Sequence, residues 1–151
     1  MSILVFGASS QIGHFLLPRL RHHGMAIYAV SRHAHVPGDG IRWLRGQLPD
    51  AVPDLSSTPS AVISFGPIGP FAAWLATTAF SAPPRVIATS SMSAETKRSS
   101  AVPAERALSQ QLRTGEHAIA DACARLGAPW TIFRPTLVYG AGLDRSLTPI
   151  A

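Results

Sequence analysis

Ser2-Ile3-Leu4-Val5-Phe6-Gly7-Ala8-Ser9-Ser10-Gln11-Ile12-Gly13 is the stretch from which the rest of this chain is read. An apolar run of strand length enters a glycine-punctuated turn, and the amphipathic segment His14-Phe15-Leu16-Leu17-Pro18-Arg19-Leu20 follows. The order is strand, tight turn, helix. Unpaired backbone N–H groups and the helix dipole then point at whatever lies above the helix N-terminus, a place that suits a pyrophosphate.

The pattern repeats downstream. Gly24 closes the first helix, and Met25-Ala26-Ile27-Tyr28-Ala29-Val30 predicts a second strand. Ser31-Arg32-His33 leads into a loop marked by Pro37-Gly38-Asp39-Gly40, and Ile41-Arg42-Trp43-Leu44 alternates like a short third strand. Three prolines between Leu48 and Ser60 allow at best a broken helix there. Ala61-Val62-Ile63-Ser64-Phe65 is a fourth strand of buried type, ended by Gly66-Pro67-Ile68-Gly69-Pro70, with a helix expected from about Phe71 to Phe80. Arg85 to Thr89 makes a fifth strand, and the polar segment from Ser90 to Ala104 is expected to be a mobile loop. From Pro103 to about Leu126, the residues Leu108, Leu112, Gly115, Ile119, Ala122 and Leu126 recur at three- and four-residue spacing, the stripe of a helix facing a sheet. Gly127 stops it, and Trp130-Thr131-Ile132-Phe133 is a sixth strand. Short apolar strands alternating with helices predict an α/β fold, a doubly wound parallel sheet in three layers.

Composition agrees with one folded domain. The chain has 151 residues, 46% of them apolar and 14% charged, outside the range of disordered chains. No apolar run approaches the ~18 residues of a membrane span, and the start lacks the cationic region of a secretory signal. The lone Cys123 excludes an intrachain disulfide and, with the missing signal, leads us to expect a cytoplasmic protein. The formal net charge of +5 raises the question of nucleic acid. The thirteen basic residues are dispersed, however, with Lys97-Arg98 the longest run and twelve arginines against one lysine. That is a compositional bias rather than a reading surface.

Four segments, in order along nearly the whole chain, carry a family resemblance. Gly7-Ala8-Ser9-Ser10-Gln11-Ile12-Gly13 resembles the Gly-x-x-Gly-x-x-Gly turn of the extended and atypical short-chain dehydrogenase/reductases, with Ser10 for the middle glycine. Leu44-Arg45-Gly46-Gln47-Leu48 is similar to the family's Arg-Gly-Asp-Leu segment, with Gln47 for the aspartate. Arg85 to Ser91 looks like its fifth strand with terminal serines, and Trp130 to Gly140 resembles Ile-Leu-Arg-Pro-x-x-Val-Tyr-Gly. The epimerase/dehydratase-like branch is the nearest description. The resemblance implies a Rossmann fold holding a nicotinamide dinucleotide at Gly7, Ser9, Ser10, Gln11, Ile12, Gly13, Ser31, Arg32, Gln47, Leu48, Phe65, Gly66, Pro67, Thr89 and Pro135, with Ser91 as the catalytic serine. It also implies a carbonyl or sugar-like small-molecule substrate. Oligomeric state stays open.

Cofactor choice follows from the end of the second strand. An acid there accepts hydrogen bonds from a free ribose 2′-hydroxyl, whereas a guanidinium pairs with a 2′-phosphate. Val30-Ser31-Arg32 offers no carboxylate before Asp39, so NADP is expected, with NAD as the alternative.

Chemistry is harder to place. Redox members of the resembled family use a Tyr-x-x-x-Lys pair on the long helix, because the lysine cation lowers the tyrosine pKa. Here the only tyrosines are Tyr28 and Tyr139, and the only lysine is Lys97. Glu116 lies eighteen residues before Arg134, as the family's helix glutamate does, and counting back puts Leu112 and Leu108 where the pair would stand. Both are expected on the buried stripe. His14, His22, His23, His33, His35 and His117 show neither metal-ligand nor nucleophile–base spacing and read as surface or structural groups. Two functions follow: an oxidoreductase or epimerase-like enzyme with a non-standard acid, or a non-catalytic dinucleotide sensor or scaffold. After Gly140 only eleven residues remain, so residues 1–151 are expected to form the dinucleotide-binding domain without the family's C-terminal substrate-binding part.

Overall fold

The computed structural model describes residues 1–36, 38, 40–140 and 142. Pro37 and Asp39, and the last residues apart from Gly142, lie outside that set. Six strands form one sheet: β1 (Ser2–Phe6), β2 (Ala26–Ser31), β3 (Ile41–Arg45), β4 (Ala61–Ser64), β5 (Arg85–Thr89) and β6 (Trp130–Phe133). All pairings are parallel and the order is β3-β2-β1-β4-β5-β6. Strand order reverses between β1 and β4. In open α/β sheets the crevice above such a reversal is where ligands bind.

Alternation along β1 builds two cores. Ile3 and Val5 face helix α1 (Gln11–His22), packing with Leu17, Ile27, Ala29 and Ile63. Leu4 and Phe6 face helices α2 (Ile68–Thr77) and α4 (Pro103–Leu126), together with Val62, Val86, Phe71, Leu75, Ile119 and Cys123. Phe6 sits edge-on to Trp74, with ring centroids 4.8 Å apart. Burial pushes the Cys123 thiol up to about 11, so it is a packing group rather than a nucleophile. The result is the three-layer, doubly wound α/β arrangement expected. No helix among the described residues is long and apolar enough to cross a membrane.

Four local expectations are corrected. Leu48 to Ser60 holds no helix; a cis Leu48–Pro49 bond and a Gln47–Ala51 bridge fold it instead. Helix α2 starts at Ile68, not Phe71, because Pro70 falls in the first turn, where its missing N–H has no partner to lose. It ends at Thr77, where the Thr78 hydroxyl donates to the Trp74 carbonyl and Arg125 of α4 donates to the carbonyls of Leu75 and Thr78. The Ser90–Ala104 segment contains a short helix, α3 (Ser93–Thr96), and the buried Ser109 hydroxyl donates to the Ala94 carbonyl. That contact sets the roll of α4: Ser109, Gly115, Glu116, Ile119, Ala122 and Cys123 are buried, whereas Leu108 is 39% exposed and leaves the expected stripe.

Candidate functional site

The turn after β1 is built by local chemistry. Gly7 adopts φ +69°, a conformation costly to any side chain, and a Cβ there would also lie 2.9 Å from the Phe65 carbonyl carbon. A Cβ on Gly13 would lie 2.0 Å from the Ala8 carbonyl oxygen, so only glycine lets α1 start this close to the turn. Ser10 needs no such freedom. Its backbone is extended (φ −72°, ψ 168°), and its hydroxyl accepts from the Gly13 N–H at 3.2 Å as the N-cap of α1. A serine therefore replaces the family's middle glycine without strain. The N–H groups of Gln11 and Ile12 precede the first intrahelical bond, His14 N–H to the Ser10 carbonyl, and remain available to an anion.

A cleft of about 340 Å³ opens beside this turn, at the strand reversal. Gly7, Ser9, Ser31, Arg32, Gln47, Leu48, Gly66 and Pro67 line it, which gathers eight of the residues singled out from the sequence. Val30, His33, Gly46 and Pro70 also line it. Arg32 is exposed, and no carboxylate is among the described lining residues. Asp39, the nearest downstream acid, lies outside the described residues.

Ser9 is shared with a neighbouring groove lined by Ser10, Gly13, His14, Arg21, His35 and Trp43. There the His35 ring stacks on Trp43 at 3.6 Å with an 8° tilt, and His35 Nε2 lies 2.9 Å from Ser31 Oγ. The sequence pattern had given no sign of this contact, because no periodicity joins a loop histidine to a tryptophan on the next strand.

The remaining singled-out residues lie elsewhere. Gln11 and Ile12 line a shallow groove against Val138 and Tyr139, and Gln11 Nε2 donates to the Gly140 carbonyl at 3.1 Å. Phe65 packs into the α1-side core, while the Thr89 hydroxyl donates to the Ser64 carbonyl at 3.4 Å. Pro135 accepts from the Met92 N–H, and Ser91 Oγ accepts from the Ser93 N–H at 3.2 Å. None of these four enters the cleft's lining.

Between α4 and the end of β6 lies an ion-pair network. Arg134 grips buried Glu116 with Nε on Oε1 at 2.9 Å and Nη2 on Oε2, while Nη1 reaches Glu95 at 3.1 Å. Burial pushes the Glu116 carboxyl up, but hydrogen bonds and charge from Arg134 outweigh it and hold the group below the usual carboxylate range. The buried Ser90 hydroxyl lies near enough to add to that lowering, yet lacks hydrogen-bond geometry to any partner among the described residues. Among the described residues no group of three or more His, Cys, Asp or Glu could hold a metal.

No family model and no curated protein matches this sequence. Solved structures do. The chain superposes on MoeE5 in complex with UDP-glucuronic acid and NAD with a TM-score of 0.71 at 19% identity, over 99% of this chain and 60% of that one. On UDP-glucuronic acid 4-epimerase from Bacillus cereus in complex with NAD the values are 0.66 and 18%, over 93% and 58%. On vestitone reductase from alfalfa (Medicago sativa L.) they are 0.65 and 12%, over 88% and 56%. The chain thus spans a little over half the length of these neighbours. At such identities the likeness speaks for architecture: this chain has the Rossmann-like α/β fold that these epimerases and reductases share.

Proposed function

We propose that this chain is the dinucleotide-binding portion of an atypical short-chain dehydrogenase/reductase and that it takes NADP(H) in preference to NAD(H). The observation that carries the reading is the cleft at the strand reversal. It joins Gly7 and Ser9 of the glycine turn that leads into α1 to Ser31 and Arg32, with a cation and no carboxylate among its described lining residues. Gln11 and Ile12 N–H groups would meet the pyrophosphate, Arg32 and Ser31 the 2′-phosphate, and Gln47 the adenine edge. Bound there, the cofactor would supply or accept a hydride. Two of the neighbouring structures, both in complex with NAD, support a nicotinamide dinucleotide without deciding the 2′-phosphate.

The experiment is a titration with NADPH and NADH. Arg32→Ala should weaken NADPH about tenfold and NADH less than about twofold, since a guanidinium–phosphate contact is worth about 1.5–3 kcal/mol. Equal loss of both would sink the assignment.

Catalysis is a separate proposal. Helix α4 contains neither tyrosine nor lysine, and Ser91 alone is a weak acid. An oxidoreductase or epimerase-like reaction on a carbonyl or sugar-like substrate would therefore draw its acid from elsewhere. The alternative, a dinucleotide sensor without turnover, is favoured by that missing pair. NADPH binding without oxidation across a carbonyl panel would select it.

A further inference from the structure

We infer that His35 is a positioning residue for the 2′-phosphate subsite, acting through the Ser31 hydroxyl; the inference rests on the NADP(H) reading above. Ser31 ends β2, is buried and lines the cleft beside Arg32. Its oxygen has two lone pairs and one proton to distribute. The His33 N–H takes one lone pair at 3.2 Å. His35 Nε2, at 2.9 Å, takes either the second lone pair or the proton. Stacking on Trp43 of β3 clamps the imidazole over the sheet, so this choice is made at a fixed site.

The direction of that bond decides what Ser31 can offer a ligand. With a proton on Nε2, the ring donates to Ser31, both lone pairs are filled, and the hydroxyl proton must turn to a third partner. With Nε2 bare, the hydroxyl donates to the ring and only a lone pair remains. The oxygens of a dianionic phosphate accept and cannot donate, so that form needs the first state. A ribose hydroxyl can donate or accept and suits either. A charged imidazolium carries a proton on both nitrogens and enforces the state that phosphate requires.

The titratable and charged side chains around this contact are His14 and Arg21 of α1, which line the same groove, and Arg32 and His33 of its own segment. Arg45 of β3 lies beside Ser31 in register. Asp39 is outside the described residues.

The test titrates NADPH and NADH into the full chain at about pH 6 and about pH 8, the interval in which imidazoles gain or lose a proton. Wild type should prefer NADPH. His35→Phe keeps a ring on Trp43 but has no nitrogen. It should lower NADPH affinity about fivefold at about pH 6 and less at about pH 8, with NADH changed less than about twofold. His35→Gln, whose amide can donate to Ser31, should restore most of the preference and make it less dependent on pH than in wild type. Loss of both dinucleotides alike in His35→Phe, or an unchanged preference, overturns the inference alone. If that variant does not fold, a His35→Gln pH profile identical to wild type does the same. Wild type without a preference for NADPH overturns the cofactor reading itself, and this inference with it.

Discussion

The two ends of the sheet's carboxyl edge are built for different ends. Above β1, β2 and β3, polar groups are presented outward: helix N–H groups after Ser10 and an exposed guanidinium at Arg32, beside a Ser31 hydroxyl held by His33 and His35. Above β5 and β6, polar groups are spent on one another. Arg134 holds Glu116 and Glu95, Ser91 Oγ is taken by the Ser93 N–H, and the Thr89 hydroxyl serves the Ser64 carbonyl. Arg134 and the Thr89 hydroxyl, whose donor groups are engaged, must break these bonds to act on a substrate, whereas Ser91 only accepts and keeps its hydroxyl proton. On the function proposed above, the first region would hold the ligand while the second holds the fold, and binding and chemistry would be separable.

The largest test of that contrast is Gly13→Ala. Its new Cβ would meet backbone, which cannot swing aside, so the change should cost about 3 kcal/mol or more and abolish dinucleotide binding together with the melting transition. Retained binding would break the picture of the turn. Next comes Glu116→Gln in the second region. A fully buried pair loses about 3–5 kcal/mol when one partner goes, but Arg134 is partly exposed and keeps Glu95, so about 2 kcal/mol is expected, with dinucleotide affinity within about twofold of wild type. A large fall in affinity would show that the two regions are coupled.

Acid titration sharpens the same point. The folded carboxyl of Glu116 lies below its unfolded value. Its contribution to stability is therefore complete above the ordinary glutamate range near ~4.3 and lost as pH falls through the lowered folded value. Denaturation midpoints of wild type should drop below about pH 4, and Glu116→Gln should flatten that limb. A smaller effect is expected at Ser10. Ser10→Ala removes the N-cap and should cost about 1 kcal/mol, while Ser10→Gly should cost only about a few tenths, both read from chemical denaturation. A negligible cost of Ser10→Ala would mean that the hydroxyl is not the cap.

Where local signals sufficed, the sequence was easy to read. Strands β1, β2, β4 and β5 appear because strands buried in a parallel sheet are near-continuous apolar runs, and edge strand β3 appears by its apolar–polar alternation. Helix α4 begins and ends where expected, since Pro103 suits a first turn and Gly127 takes φ +64° as its cap. Eight of the nominated residues share the cleft because one turn and three strand ends converge on it. The misreadings arose where long-range contacts chose among local options. Spacing alone admits Leu108 or Ser109 on the inner face of α4, and Ser109 won because the Ala94 carbonyl of α3 receives its hydroxyl proton.

By itself the sequence determined an alternating α/β chain, a glycine turn opening a helix, Arg32 at the end of β2, and a long helix without tyrosine or lysine. These are matters of residue type and short spacing, and they follow from backbone and side-chain chemistry within a few turns of chain. Only the tertiary structure decided that Ser10 caps α1 rather than crowding it, that Arg134 closes on Glu116, and that His35 reaches Ser31 from a platform on Trp43. The last two join residues on different elements, where packing sets geometry that no local pattern encodes.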